Sequence, residues 1–233
     1  MPTYTPPLRD MQFVMHEVLN VAQDLQQIPK HAEMDVETIN AVLEEGGKFA
    51  SEVIFPLNQS GDEQGCVLDR DTHEVKTPDG FKAAYDQYVQ GGWPALSADP
   101  DYGGQGLPVV VNQCFYEMLN SANQAWTMYP GLTHGAYEAL HAHGTESQKK
   151  TILPKLTNGE WTSTMCLTES HCGTDLGLLR TKAVPQPDGT YRLSGSKIFI
   201  SSGDHDFVDN ILHLVLARLP DAPAGSKGTG TAF

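Results

Sequence analysis

Trp161-Thr162-Ser163-Thr164-Met165-Cys166-Leu167-Thr168-Glu169-Ser170-His171-Cys172-Gly173-Thr174-Asp175 is where the texture of the sequence changes. Before it, apolar residues recur at helical spacing; from it onward, short runs rich in β-branched and aromatic residues alternate with turn signals. The stretch reads as a strand over 162–168 that runs into a turn of small and hydroxyl residues. Backbone N–H groups and hydroxyls in such a turn can cradle a phosphate or the polar edge of a planar ring. The same residue types also build plain structural turns, so this stretch alone leaves both readings open. Lys197-Ile198-Phe199-Ile200-Ser201-Ser202-Gly203 supplies a second element. Read as a strand over 197–201, it puts Phe199 and Ser201 two apart and on one face. An aromatic wall with a hydroxyl beside it suits a flat heteroaromatic ligand.

Toward the C-terminus, further strands are expected at 181–184, 191–193 and 211–218, with Pro185-Gln186-Pro187-Asp188-Gly189 turning between two of them. Residues 225–233 show no periodicity and read as a loose tail. Toward the N-terminus, Met11, Val14, Met15, Val18, Leu19 and Ala22 mark one face of an amphipathic helix. Asp35 stands where an N-cap opens a second helix carrying Val36, Ile39, Val42, Leu43, Phe49, Val53 and Ile54. Gly46-Gly47 interrupts that helix and Pro56 follows its end. Residues 59–79 read as a loop or short hairpin and 91–106 as a glycine-rich turn region. Helices are expected over 81–89 and 109–120, and again over 136–144 and 146–156. The fold class is therefore α+β: a helical part to about residue 158, then a β domain.

The 233 residues carry 15 Lys+Arg against 29 Asp+Glu, a net charge of −14. Such a body repels phosphate backbones and anionic membranes alike. Its apolar fraction of 39% is enough for a packed core, which argues against wholesale disorder. Cys66, Cys114, Cys166 and Cys172 have no metal-ligand or Cys-x-x-Cys spacing, so packing and turn roles are expected of them. Residues 1–10 lack a basic and then apolar leader, and no run approaches 18 apolar residues. The expected location is cytoplasmic.

Taken together, 165–175 and 197–203, in that order and separation, resemble the flavin-binding signature of the acyl-CoA dehydrogenase family. Asp101-Tyr102-Gly103-Gly104-Gln105-Gly106-Leu107-Pro108 is similar to a loop of that family's helical domain. His143-Gly144-Thr145-Glu146-Ser147-Gln148-Lys149-Lys150, with Leu153-Pro154 through Gly159-Glu160, resembles its lead-in to the β domain. Pro7-Leu8-Arg9-Asp10-Met11-Gln12-Phe13-Val14 is similar to an extra N-terminal segment of one long-chain branch. The resemblance implies a helical N-terminal domain over 1–158, with 1–35 as the extra segment, and a partial antiparallel β-barrel domain over 159–233. It implies FAD as cofactor and an acyl-CoA as substrate. Met165, Leu167 and Thr168 match positions on the flavin ring. Gly173 and Thr174 match positions where the chain nears the cofactor's phosphate and the substrate; Phe199 and Ser201 match an aromatic beside the flavin and a hydroxyl near its N5. The implied reaction is α,β-dehydrogenation of the thioester, with a glutamate from a C-terminal helical bundle as base and hydride passing to flavin N5.

The chain ends before any such bundle, so no catalytic residue is expected within it, Glu169 included, and the isolated chain is expected to be inactive. A full-length version is expected to pass electrons to an electron-transfer flavoprotein and to form a homo-oligomer. Two other readings stay open: a non-catalytic remnant that binds acyl-CoA or a partner subunit, and a same-fold acyl-CoA oxidase or flavin monooxygenase. Ser170 and Cys172 depart from the family pattern, which usually has proline and a very small residue there. His134, His141 and His143 are expected to be core or surface histidines, with no metal bound. Asp204-His205-Asp206 is expected to be a solvated loop.

Overall fold

Asp35 accepts the Thr38 amide hydrogen at 2.7 Å and so caps α3 (Val36–Phe49), as its place before the apolar run predicts. The computed structural model describes residues 3–232. Gly46 and Gly47 do not interrupt α3. A Cβ on Gly46 would sit 2.7 Å from the Phe115 ring, so this glycine lets two helices approach rather than breaking one. The chain continues through a π-turn, Ala50–Ile54, into α4 (Leu57–Gln64).

The N-terminal stripe departs from the expected single helix. It folds as α1 (Leu8–Gln12), a π-turn over Phe13–Val18 and α2 (Val21–Gln26), with Asn20 left-handed at φ 52°. The wider turn re-phases the apolar face. Met11, Met15 and Ala22 remain buried while Val14, Val18 and Leu19 face outward. The expected loop at 59–79 is a helix up to Gln64, followed by the short hairpin β1 (Val67–Leu68) and β2 (Val75–Lys76). Then come α5 (Phe81–Gln90), the glycine-rich loop and α6 (Val109–His143). Asn123 breaks α6 with φ −160°, and its side chain accepts the Trp126 amide hydrogen at 3.0 Å to restart the helix. Thr145 and Gln148 form a capping box that opens α7 (Glu146–Thr157). Packing of α3, α5 and α6 builds the core around Ile39, Leu43, Phe115, Met118 and Trp126.

From Thr162 onward the chain makes one curled sheet. β3 (Thr162–Cys166) pairs in parallel with β6 (Ile211–Arg218), and β4 (Lys182–Pro185) pairs antiparallel with β5 (Tyr191–Ser194). β4 meets the end of β6 in parallel at Lys182 and Arg218. The α+β arrangement stands, and the strand senses are mixed rather than antiparallel throughout. Two expectations change here. Residues 197–201 are not a strand, and the supposed loose tail forms β7 (Thr229–Ala232), antiparallel to the second half of β6. Among the described residues no helix is long and apolar enough to cross a membrane.

Helical and β parts interlock. α6 lies against β3, where Thr133 Oγ1 accepts the Ser163 amide hydrogen at 3.1 Å. Residues 205–207 reach back the other way. Phe207 is buried between Tyr85 (ring centroids 5.1 Å) and Tyr129 (4.5 Å). Thr77 donates from its hydroxyl to Asp206 at 2.6 Å, and Lys82 Nζ donates to the Asp206 and Phe207 carbonyls. His205, expected in solvent, is buried: its Nδ1 accepts the Phe207 amide hydrogen, leaving Nε2–H for Thr162 Oγ1 at 3.0 Å.

Candidate functional site

The two signature stretches lie against each other through their backbones. Leu167 O accepts from Lys197 Nζ at 2.9 Å, and Thr168 O accepts the Ile198 amide hydrogen at 3.0 Å. Beneath them Glu169 is buried as a hub. Its carboxylate accepts the Arg180 and Thr181 amide hydrogens, the Thr181 hydroxyl at 2.6 Å and the Lys197 ammonium at 3.0 Å. Burial would raise its pKa; these donors outweigh it and hold the carboxyl at about 2, so it is ionised. The ligand atoms of Glu169, His171 and Cys172 lie within 4.8 Å of one another, a spacing a metal ion could use. The Lys197 ammonium, 3.0 Å from Glu169 Oε1, already balances that carboxylate's charge.

Glu169 and Cys172 exchange both backbone hydrogen bonds, 2.9 and 3.1 Å, which pinches the turn so that Gly173 and Thr174 face outward. A Cβ on Gly173 would find only the Thr168 methyl, at 3.9 Å. Space in front of this turn is therefore not filled by the chain. Met165 is 38% exposed and Phe199 87%, the most exposed large apolar side chain described. The expected alternation of Phe199 and Ser201 is lost, because Phe199 sits at φ 58° and Ser202 at φ 55°. Such backbone costs about 1–3 kcal/mol per non-glycine residue and collects at functional sites. Both Phe199 and Ser201 nonetheless remain exposed, beside the segment that pairs with Leu167 and Thr168. A bare aromatic face, an open glycine turn and free hydroxyls fit a flat, phosphate-bearing cofactor.

Sequence reasoning missed the neighbouring cleft. Between α6 and the sheet lies a space of about 600 Å³ lined by Gly131, Gly135, Ala139, Thr164, Met165 and Leu214, among others. No heavy atom comes within 4 Å of a Cβ placed on Gly135, and only the Tyr116 ring, at 3.8 Å, nears one on Gly131. Two glycines four apart inside a helix were the available signal, since they bare one face of it. Met165 borders both the cleft and the signature turn. The three histidines near the end of α6 hold no metal-like cluster among the described residues. His134 stacks on Tyr116, and His141 stacks on Tyr137 while pairing with Asp99 at 3.1 Å.

Residues 36–160, more than half of the chain, match the family profile described as acyl-CoA dehydrogenase, N-terminal domain. The chain belongs to the acyl-CoA dehydrogenase family. It is 45% identical over 97% of its length to the 3-methylmercaptopropionyl-CoA dehydrogenase of Ruegeria pomeroyi, of which it spans 38%. Among solved structures, the butyryl-CoA dehydrogenase of Megasphaera elsdenii superposes with a TM-score of 0.66 at 25% identity, over 85% of this chain and 50% of that one. An acyl-CoA dehydrogenase of Bacillus anthracis, solved in complex with FAD, shares the fold at a TM-score of 0.64 and 23% identity, over 80% of this chain and 30% of that one. Family members of this kind are oxidoreductases, and FAD is the family cofactor.

Proposed function

We propose that this chain forms the FAD-facing part of an enzyme that dehydrogenates an acyl-CoA thioester at its α,β bond. The observation that carries the reading is the open face of Met165, Thr168, Gly173, Phe199 and Ser201, built from both signature stretches and bordered by an apolar cleft. FAD, when bound, supplies the acceptor for the hydride that leaves the β-carbon. Met165, Leu167 and Thr168 are assigned to one side of the ring, and Phe199 to an aromatic wall beside it. The Ser201 hydroxyl is assigned to the ring's polar edge. Gly173 and Thr174 leave room for the phosphate and the thioester end of the substrate. The acyl chain is assigned to the cleft along Gly131 and Gly135, where it displaces water from an apolar wall.

Glu169 takes no proton in this scheme. A carboxylate held at about 2, buried and tied to four donors, is too weak a base for the α-proton, and it does not line the cleft. The base for the α-proton is assigned to a part of the whole protein outside this face. An electron-transfer flavoprotein is the proposed acceptor for the reduced enzyme, and a homo-oligomer the proposed assembly.

Titration of the chain with FAD, followed by flavin fluorescence, tests this directly. Saturable quenching is expected, weakened about tenfold in Phe199→Ala by loss of one aromatic contact. Gly135→Leu should fill the cleft, leaving FAD affinity unchanged and abolishing acyl-CoA binding. No quenching with the unsubstituted chain, or acyl-CoA binding untouched in Gly135→Leu, would overturn the corresponding assignment.

A further inference from the structure

We propose that the Glu169–Lys197 ion pair is a latch that sets Phe199 and Ser201 against Thr168, which makes both charged groups positioning residues for the flavin ring. The inference rests on the FAD reading above and adds the means by which the two halves of the face are registered. Residues 195–200 belong to no strand, so no ladder of backbone bonds fixes them. Phe199 and Ser202 hold left-handed conformations that a free chain of these residue types would leave. The segment must therefore be held at its ends.

The far end is the peg formed by His205, Asp206 and Phe207 in the helical part. The near end is Lys197. Its side chain is 11% exposed, and its ammonium reaches two partners at once, Glu169 Oε1 at 3.0 Å and the Leu167 carbonyl at 2.9 Å. Next to it the Ile198 amide donates to Thr168 O at 3.0 Å, the one backbone bond between the stretches that involves an expected flavin contact. Glu169 is itself fixed by Thr181 and the Arg180 amide, so it is a rigid anchor rather than a mobile partner. Between the two anchors lie Phe199 and Ser201. Loosening Lys197 frees the near end and lets Phe199 relax out of its strained conformation.

The test compares Lys197→Met with Lys197→Arg in the whole chain. In Lys197→Met, hydrogen exchange at the Ile198 amide of the ligand-free protein is expected to speed up at least about tenfold, and FAD affinity to fall by a similar factor. Lys197→Arg keeps a cation that reaches the same oxygens and should restore most of both. Where Lys197→Met does not fold, Glu169→Gln/Lys197→Met leaves no buried charge unpaired and carries the same comparison. Unchanged exchange at Ile198 overturns the latch. Faster exchange with undiminished FAD affinity overturns its positioning role and leaves a purely structural pair. Failure of the unsubstituted chain to bind FAD overturns the flavin reading itself, and the exchange result tells that failure apart from failure of the latch.

Discussion

Trp126→Ala is expected to destabilise the protein by about 3–5 kcal/mol, which for a chain of this size lowers the melting temperature by roughly 6–20 °C. Trp126 is 0% exposed and stands edge-on to Phe49 at 6.2 Å and to Tyr88 at 5.6 Å. Its indole N–H donates to the Phe81 carbonyl at 3.1 Å. Truncation thus opens a cavity where three elements meet, removes two aromatic contacts and takes a buried hydrogen bond from the Phe81 carbonyl, and these losses act in the same direction. Trp126 also sits just past the Asn123 break, so it seats the second half of α6, the half that walls the cleft. Trp126→Phe keeps most of the volume and should lose about half as much. Denaturant unfolding monitored by far-UV circular dichroism measures both; a loss below about 1 kcal/mol for Trp126→Ala would contradict the described core.

Acidification should unfold the protein in two overlapping steps. Burial pushes His205 down from its ordinary 6.5 to about 4, with Lys82 and His213 acting in the same sense and Asp204 and Asp206 against it. The folded state therefore prefers neutral His205, and the unfolded chain binds the extra proton between those values. Stability from this group is complete above pH 6.5 and is lost as pH falls toward 4. Glu169, lowered from 4.5 to about 2, contributes fully above 4.5 and loses its contribution as pH falls toward 2. Each displacement is on the order of 3 kcal/mol at most. His31 and His134 are also pushed down by burial, so the slope between pH 6.5 and 4 is shared. His205→Gln isolates the His205 part: the variant's stability should be flatter across that window and still fall below pH 4.5. An unaltered slope in His205→Gln would mean that the imidazole is not buried as a neutral group between Phe207 and Thr162.

Features written in local chemistry were legible in the sequence. Asp35 sits at a helix start because its side chain satisfies a nearby amide, and the switch from helical to strand spacing near Trp161 follows directly from periodicity. What was not legible depends on distant partners. Residues 197–201 have strand composition, yet Lys197 is drawn to Glu169 and the ladder never forms. Thr229-Gly230-Thr231 has no strand signal of its own and is ordered by pairing with Leu216 to Arg218. Asp204-His205-Asp206 looks solvated because of its charges, and Asp206 instead finds Thr77, 129 residues earlier in the helical part. Of the expected site residues, Met165, Gly173, Thr174, Phe199 and Ser201 are all exposed at the sheet's turn. The reason offered for Phe199 and Ser201, strand alternation, is not what puts them there. The cleft was invisible because it belongs to the packing of α6 on the sheet rather than to either element.

Hydrogen–deuterium exchange of the chain with and without saturating FAD shows whether the two signature stretches together hold the flavin. Protection gained together at 165–175 and 197–203, with the helical core around α3 and α5 unchanged, is the predicted result. Protection confined to other segments, or none at either signature stretch while FAD is bound, would contradict a flavin site built from these two strips of chain.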